Sequence, residues 1–280
     1  MATHTESIIE LIRAGHVEQA FELSASLGRP LDLRGVDFSG CDLRNINFSD
    51  RDLCGANFSS ANLTKANFHG ANLQGVSLHR ADLTEAVLTD ANLHSANLHR
   101  AIFDETYVTG TDLSDAVLVG TDVASLLNHG ANLRGANLQD TDCEQAEFTG
   151  VNFRNADFRG ANLREASFKG CILRGARLSD VESEEVLLKD ADLRGADMSG
   201  AILFLSGFVR CDFEGANLCK ANLRFVNMSD VNFCGANLMG ADLTGAKFID
   251  VMFRGSRFDR HTKWPDGFDV ESCGAESSQQ

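Results

Sequence analysis

Ala56-Asn57-Phe58-Ser59-Ser60-Ala61-Asn62-Leu63-Thr64-Lys65-Ala66-Asn67-Phe68 decides the fold. A small residue, an Asn and a large apolar residue return every five positions, and the phase holds far beyond this stretch. Every fifth residue from Leu33 to Phe258 gives 46 positions without an insertion, and 39 of them are Leu or Phe. The departures are Val108, Val123, Asn128, Cys143, Ser183, Met198 and Met228. Two residues earlier runs a second column, with Ala at 25 of its 46 places and mostly Val, Thr or Cys elsewhere. The residue just before each Leu or Phe is very often Asn or Asp, as again in Ala241-Asp242-Leu243. A helical period of 3.6 or a strand period of 2 drifts out of step with five within two repeats. The pattern therefore belongs to a solenoid, whose short units bury their apolar residues by stacking on one another.

Composition narrows the class. Of 280 residues, 43% are hydrophobic and 23% charged, enough for a sizeable core. Phe occurs 19 times against 1 Trp and 1 Tyr, so Phe is selected by position. No apolar run approaches the length of a spanning helix, and Met1 to Arg13 carries Glu6 and Glu10 instead of a basic start; neither a membrane span nor a secretory signal is expected. Forty acids against 25 bases leave a net charge of −15, which argues against a general binder of nucleic acid or anionic membrane and leaves basic or neutral partners open. Eight cysteines without a CxxC pair read as neither a disulfide framework nor a zinc site, so a reducing cytoplasm is the expected compartment.

The tandem A-N/D-L/F-x-x units resemble the pentapeptide-repeat family from Leu31 to Phe258. The resemblance implies an all-β solenoid, a right-handed quadrilateral parallel β-helix with four pentapeptides per coil. In it the central Leu or Phe and the small residue two before it point inward and the other three positions face solvent. The 46 units would make about 11.5 coils, a rod of roughly 55 Å at a strand spacing of about 4.8 Å. Residues 1–30 read as a helical N-terminal cap. Ser7-Ile8-Ile9-Glu10 looks like a capping box opening a helix with Ile8, Leu11 and Ile12 on its apolar face, and Val17, Ala20, Phe21 and Leu23 suggest a second helix. Residues 259–280 read as a C-terminal cap and flexible tail. Lys263-Trp264-Pro265-Asp266-Gly267-Phe268-Asp269 is similar to the tail of many bacterial members, with Trp264 and Phe268 as the lid and Glu276 to Gln280 expected to be disordered.

With residues 20 apart stacked on one wall, the surface can be sorted. The wall built on Leu43, Leu63 and onward to Leu243 carries Asp42, Asp82, Glu85, Asp104, Glu105, Asp122, Asp142, Glu144, Glu165, Glu182, Glu184, Glu185 and Asp242, opposed by Arg44, Lys65, Arg164 and Arg224. It is either an acidic interaction face or a solubilising surface that blocks lateral association. On the same wall Ile202, Phe204, Leu205 and Phe225 take outward places. They form a candidate interaction patch, unless a register fault in Leu203 to Phe208 tucks some of them inward. Arg134, Arg154, Arg174 and Arg194 share a column that either binds an anion or reaches neighbouring Asp and Asn. His79 and His99 share another, with no third ligand for a metal, and Cys171 and Cys211 read as buried small apolar residues. At Leu126-Leu127-Asn128 the Asn falls on a large inward place, so a bulge or bend is expected there.

No phosphate loop, HExxH or CxxC interrupts the run, so neither catalysis nor a cofactor is expected. The leading expectation is a non-enzymatic interaction or scaffold protein with an unidentified protein partner. A homodimer through the late apolar patch is one form of it. The resemblance adds an alternative, since some members mimic duplex DNA and protect type II topoisomerases. A 55 Å duplex, however, carries about 32 phosphates, whereas the coils net −10.

Overall fold

A chain that changes direction every five residues needs a residue able to turn at that interval. In the computed structural model, which describes residues 2–28, 31–123 and 130–278, every described position divisible by five from Gly35 to Gly255 has φ between +51° and +74°. Glycine takes this left-handed conformation without steric cost and fills about half of these corners; Asn, Asp and other polar residues fill most of the rest. The bond from the Val36 N–H to the Leu33 carbonyl, 3.3 Å, closes one corner, and that from Ala56 to Leu53, 2.9 Å, another. A positive φ at the third residue makes these type II turns.

Between corners the chain runs extended for so short a distance that most walls pair through a single residue per coil. The partner is 20 residues away and parallel, as in Asp37↔Asn57 and Asn57↔Ser77, so four corners complete each coil. The expected richness in β-structure therefore appears as stacked one-residue bridges more than as long strands.

Two units are present. The first, Met1–Leu126, holds α1 (Ala2–Arg13) and α2 (Val17–Ser26), then coils whose bridge column climbs through Asp37, Asn57, Ser77, Asn97 and Val117. Ile8, Ile12 and Ala20 are buried, and the Arg13 guanidinium donates to the Asp37 carbonyl at 2.9 Å, which ties the helices to the first coil. The capping box expected at Ser7 is not a helix start: α1 is already under way at Ala2, and Ser7 lies inside it.

The second unit, Leu127–Gln280, climbs through Asn132, Asn152, Ile172, Asp192, Asp212, Asn232 and Met252. One of its walls stays extended longer and forms a six-stranded parallel sheet: β1 (Glu147–Thr149), β2 (Ser167–Lys169), β3 (Leu187–Lys189), β4 (Gly207–Val209), β5 (Asn227–Ser229) and β6 (Lys247–Ile249). The single run of about 11.5 coils is thus corrected: the longest continuous stack has about seven. The division falls between Leu126 and Leu127, beside the place where the sequence puts Asn128 in a large inward position. The bulge expected at Leu126-Leu127-Asn128 lies outside the described residues.

The last coil closes differently. Asp242 pairs with Lys263, 21 residues on instead of 20. The extra residue is absorbed where the Asp259 carboxylate accepts the N–H groups of Gly240, His261 and Thr262. Trp264 stacks on Phe268 at 5.1 Å and meets Phe253 edge-on at 5.2 Å, covering the final aromatic layer. The disorder expected from Glu276 onward is corrected for Glu276–Ser277, which form β8 and pair in parallel with β7 (Arg257–Phe258).

Inside, each unit is filled by the two columns read from the sequence. Phe38 and Phe58 stack at 5.0 Å, as do Phe213 and Phe233 at 4.9 Å, and the Ala column is buried almost throughout. Each such Leu or Phe contributes about 1.5–3 kcal/mol before conformational entropy is subtracted. The Asn/Asp column has its own task. Its side-chain oxygen accepts the N–H two residues on, as from Ser39 to Asp37 at 3.0 Å, and Asn57 Nδ2 donates to Asp37 Oδ1 of the coil below at 2.9 Å. Among the described residues no helix is long and apolar enough to cross a membrane.

Leu163, 1% exposed, is a test of the inward column. Leu163→Asp is expected to cost more than about 4 kcal/mol in a denaturant titration, because a carboxylate there has no partner. Arg174→Ala, which removes only an exposed ion pair of 3.9 Å to Asp192, is expected to change stability by less than about 0.5 kcal/mol.

Candidate interaction surface

The corner column of the second unit runs Glu165, Glu185, Leu205, Phe225, Gly245. Among the described residues with positive φ, Leu205 (+59°) and Phe225 (+57°) are the only apolar ones apart from glycines. A large side chain in this conformation costs about 1 kcal/mol that glycine would not. Both remain 48% and 42% exposed, so burial repays little of that cost. The register fault considered for Leu203 to Phe208 is not present. Leu203, Ser206 and Phe208 are fully buried, and Phe208 pairs with Leu188 in normal phase.

The structure brings the four patch residues together on consecutive coils. Phe204, half-buried, meets Phe225 edge-to-face at 5.8 Å and 86°, and the Arg224 guanidinium lies 5.5 Å from the Phe225 ring centre. The Phe225 ring leans over Gly245, where a Cβ would come within 2.5 Å of it, so a side chain there would displace the ring. Ile202, also half-buried, lies one bridge above Glu182 and one below Asn222. Sequence reading missed Leu187. It is 55% exposed and its side chain covers Gly207, two residues past the Leu205 corner. The available signal was a Leu in an Asn/Asp place.

The acidic residues divide between the units. In the first, Glu85 pairs with Lys65 at 3.4 Å, Asp82 accepts from the N–H and hydroxyl of Thr84, and Asp104, Glu105 and Asp122 are exposed. In the second, Asn162 bridges Asp142 (3.2 Å) and Glu144 (3.1 Å), Gln145 donates to Glu165 at 3.0 Å, and Arg164 stands 4.0 Å from Glu184. Glu182 and Glu185 are exposed and have no ion pair among the described residues. The outermost members, Asp42 and Asp242, pair with Arg44 at 2.7 Å and Lys263 at 3.0 Å.

A model described as pentapeptide repeats matches the chain in eight copies, over 32–70, 66–104, 91–123, 129–165, 142–180, 161–203, 206–233 and 221–260. The chain belongs to the pentapeptide-repeat family. The matched spans leave two internal gaps, 124–128 at the unit boundary and 204–205 at the patch. No curated protein sequence matches. Among solved structures, the pentapeptide-repeat protein HetL, involved in heterocyst differentiation regulation in the cyanobacterium Nostoc sp. strain PCC 7120, is 28% identical over 85% of this chain and 95% of its own, with a TM-score of 0.38. The pentapeptide-repeat protein alr5209 from Nostoc PCC 7120 is 29% identical over 40% of this chain and 84% of its own, with a TM-score of 0.21. QnrB1, a plasmid-mediated fluoroquinolone resistance protein, is 15% identical over 84% of this chain and 91% of its own, with a TM-score of 0.29.

The other polar columns of this pentapeptide-repeat chain are largely satisfied internally. Arg194 pairs with Asp192 at 2.6 Å and Asp212 at 3.4 Å, and its hydrogen bond holds the Asp192 carboxyl below the usual carboxylate range. Arg174 reaches the same Asp192, whereas Arg134 and Arg154 have no ion pair among the described residues. His79 and His99 stack face to face at 5.2 Å, and His94 bonds Ser114 at 3.0 Å; among the described residues no cluster of three potential metal ligands forms. A cleft of about 270 Å³ beside Arg100, Ile102, Asp104 and Asp122 is lined, among the described residues, by no hydroxyl, thiol or imidazole. Burial pushes the Cys171 and Cys211 thiols up to about 11, and they donate to the Phe148 and Leu188 carbonyls.

Two outcomes follow from this geometry. Leu205→Gly is expected to raise stability by about 1 kcal/mol in a denaturant titration, because glycine relieves the corner at little cost in burial. With an aromatic disulfide reagent at neutral pH, Cys143, Cys171 and Cys211 are expected to react only on unfolding, and the five half-buried thiols earlier, as a thiol count against time would show.

Proposed function

We propose that this chain is a non-enzymatic interaction protein and that it takes a protein partner on the surface formed by Ile202, Phe204, Leu205 and Phe225. The observation that carries the reading is the pair of large apolar residues at left-handed corners. The fold imposes the left-handed corner, and Glu, Lys and Arg meet it elsewhere; these two corners differ in turning large apolar side chains toward solvent. Two exposed and two half-buried apolar side chains side by side are also the kind of surface that marks an interface. The Asn/Asp columns, which would be the natural source of catalytic groups, are engaged in capping turns and bridging coils. The eight free thiols support a reducing, cytoplasmic setting.

Imitation of duplex DNA on a type II topoisomerase is the alternative that the family resemblance suggests. It fits the charges less well. Duplex DNA carries about three phosphates per 4.8 Å, the height of one coil. Here most of the acids on the wall are exposed singly or paired with Lys, Arg, Asn or Thr.

The double change Phe204→Ser and Phe225→Ser tests the reading. Light scattering on the purified protein and retention of partners from a cytoplasmic extract are expected to show an association that the variant loses, with its unfolding transition intact. Equal association by both proteins overturns the assignment of this surface. Protection of a topoisomerase in a supercoiling assay, abolished by charge reversal at Glu182, Glu184 and Glu185, would favour the DNA-mimic alternative.

A further inference from the structure

The patch is not surrounded evenly. The two coils below it present Glu165, Glu182, Glu184 and Glu185 on the same wall and in the same columns. Glu182 bridges Ile202 directly, and the Glu185 N–H donates to the Phe204 carbonyl at 3.0 Å, so both carboxylates rise one coil, about 4.8 Å, from the apolar groups. Among the described residues only Arg164 forms an ion pair with them, at 4.0 Å from Glu184. On the other side the named charges are net positive: Lys263 pairs with Asp242 at 3.0 Å, and Arg224 lies against the Phe225 ring.

Building on the interaction reading above, we infer that the occupant of the patch is a segment of a partner protein that sets apolar anchors beside Lys or Arg. The anchors cover Leu205 and the Phe204–Phe225 pair, and the cations lie to one side, over Glu182 and Glu185. An apolar segment without cations leaves two unpaired carboxylates at the rim of a drying contact, which opposes binding. A second copy of the chain brings one cation close to the patch, Arg224, which already lies against its own Phe225 ring and cannot serve both Glu182 and Glu185. A two-fold contact centred between Leu205 and Phe225 sets the Glu182–Glu185 coil of each copy against the Asp242–Gly245 coil of the other, where the nearest lysine, Lys263, already serves Asp242. A two-fold axis along the coils instead sets glutamate against glutamate.

The test uses the full chain and three fluorescein-labelled amphipathic peptides that share the same leucines, with Lys, Gln or Glu at every polar place, read by fluorescence anisotropy. The Lys peptide is expected to bind about tenfold or more tighter than the Gln peptide, and the Glu peptide weakest. In E182Q/E185Q the Lys advantage is expected to shrink to about twofold, and in wild type it should fall with added salt. In F204S/F225S the Lys and Gln peptides are both expected to lose about tenfold, which separates the patch from attraction to the net charge of −15. Equal binding of Lys and Gln peptides, lost in F204S/F225S, overturns the basic occupant and leaves the interaction surface standing. Peptide binding indifferent to F204S/F225S overturns both. A dimer in light scattering that F204S/F225S abolishes and the Lys peptide does not displace overturns the inference in favour of a second copy.

Discussion

The structure depends on one conformational constraint: every fifth residue must stand in the left-handed region. That corner redirects the chain, sets the length of each wall and brings the residue 20 positions away into parallel register. Without it the Leu/Phe and Ala columns would not face the same interior, and the Asn and Asp side chains would have no turn to cap. The apolar filling supplies most of the favourable free energy, but where it points is decided by the corner. Glycine meets the constraint cheaply and polar residues meet it at the Cβ cost while keeping their side chains in water; among the described corners Leu205 and Phe225 alone put large apolar groups there.

The columns were legible in the sequence because burial acts on side-chain size, and size repeats visibly in Leu33 to Phe258. The corner was less so. It selects a backbone conformation, and Gly, Asp, Ser, Lys and Glu all reach it, so no single letter marks it. The patch residues could be named from their outward phase. Their contact across coils, the Phe225 ring over Gly245 and the contribution of Leu187 could not, since these depend on rotamers and on the space above a glycine. The start of α1 was misread because Ser7 and Glu10 have the spacing of a capping box anywhere on a chain, and nothing local says that the helix has already begun. The tail was misread because Glu276–Ser277 are polar. They pair through backbone groups, which composition does not report.

The boundary at Leu126–Leu127 falls where the sequence departs from the repeat. A phase-locked repeat shows no gap when it is read by spacing alone, yet Asn128 occupies a place that elsewhere holds Leu or Phe, and the family pattern also lapses across 124–128. The second lapse, at 204–205, coincides with the exposed corner pair. At both places the sequence departs from the repeat's usual letters, and at 204–205 the departure faces outward.

The way the last coil closes bears on a hazard common to all parallel ladders. A finished coil exposes a row of unpaired N–H and C=O groups on which another chain could continue the same ladder indefinitely, end to end. Here the 21-residue step from Asp242 to Lys263 breaks the period, β8 occupies the free edge of β7, and Trp264 and Phe268 roof the aromatic layer. The one-residue change of period thus removes, at this end, part of the edge on which end-to-end pairing would start.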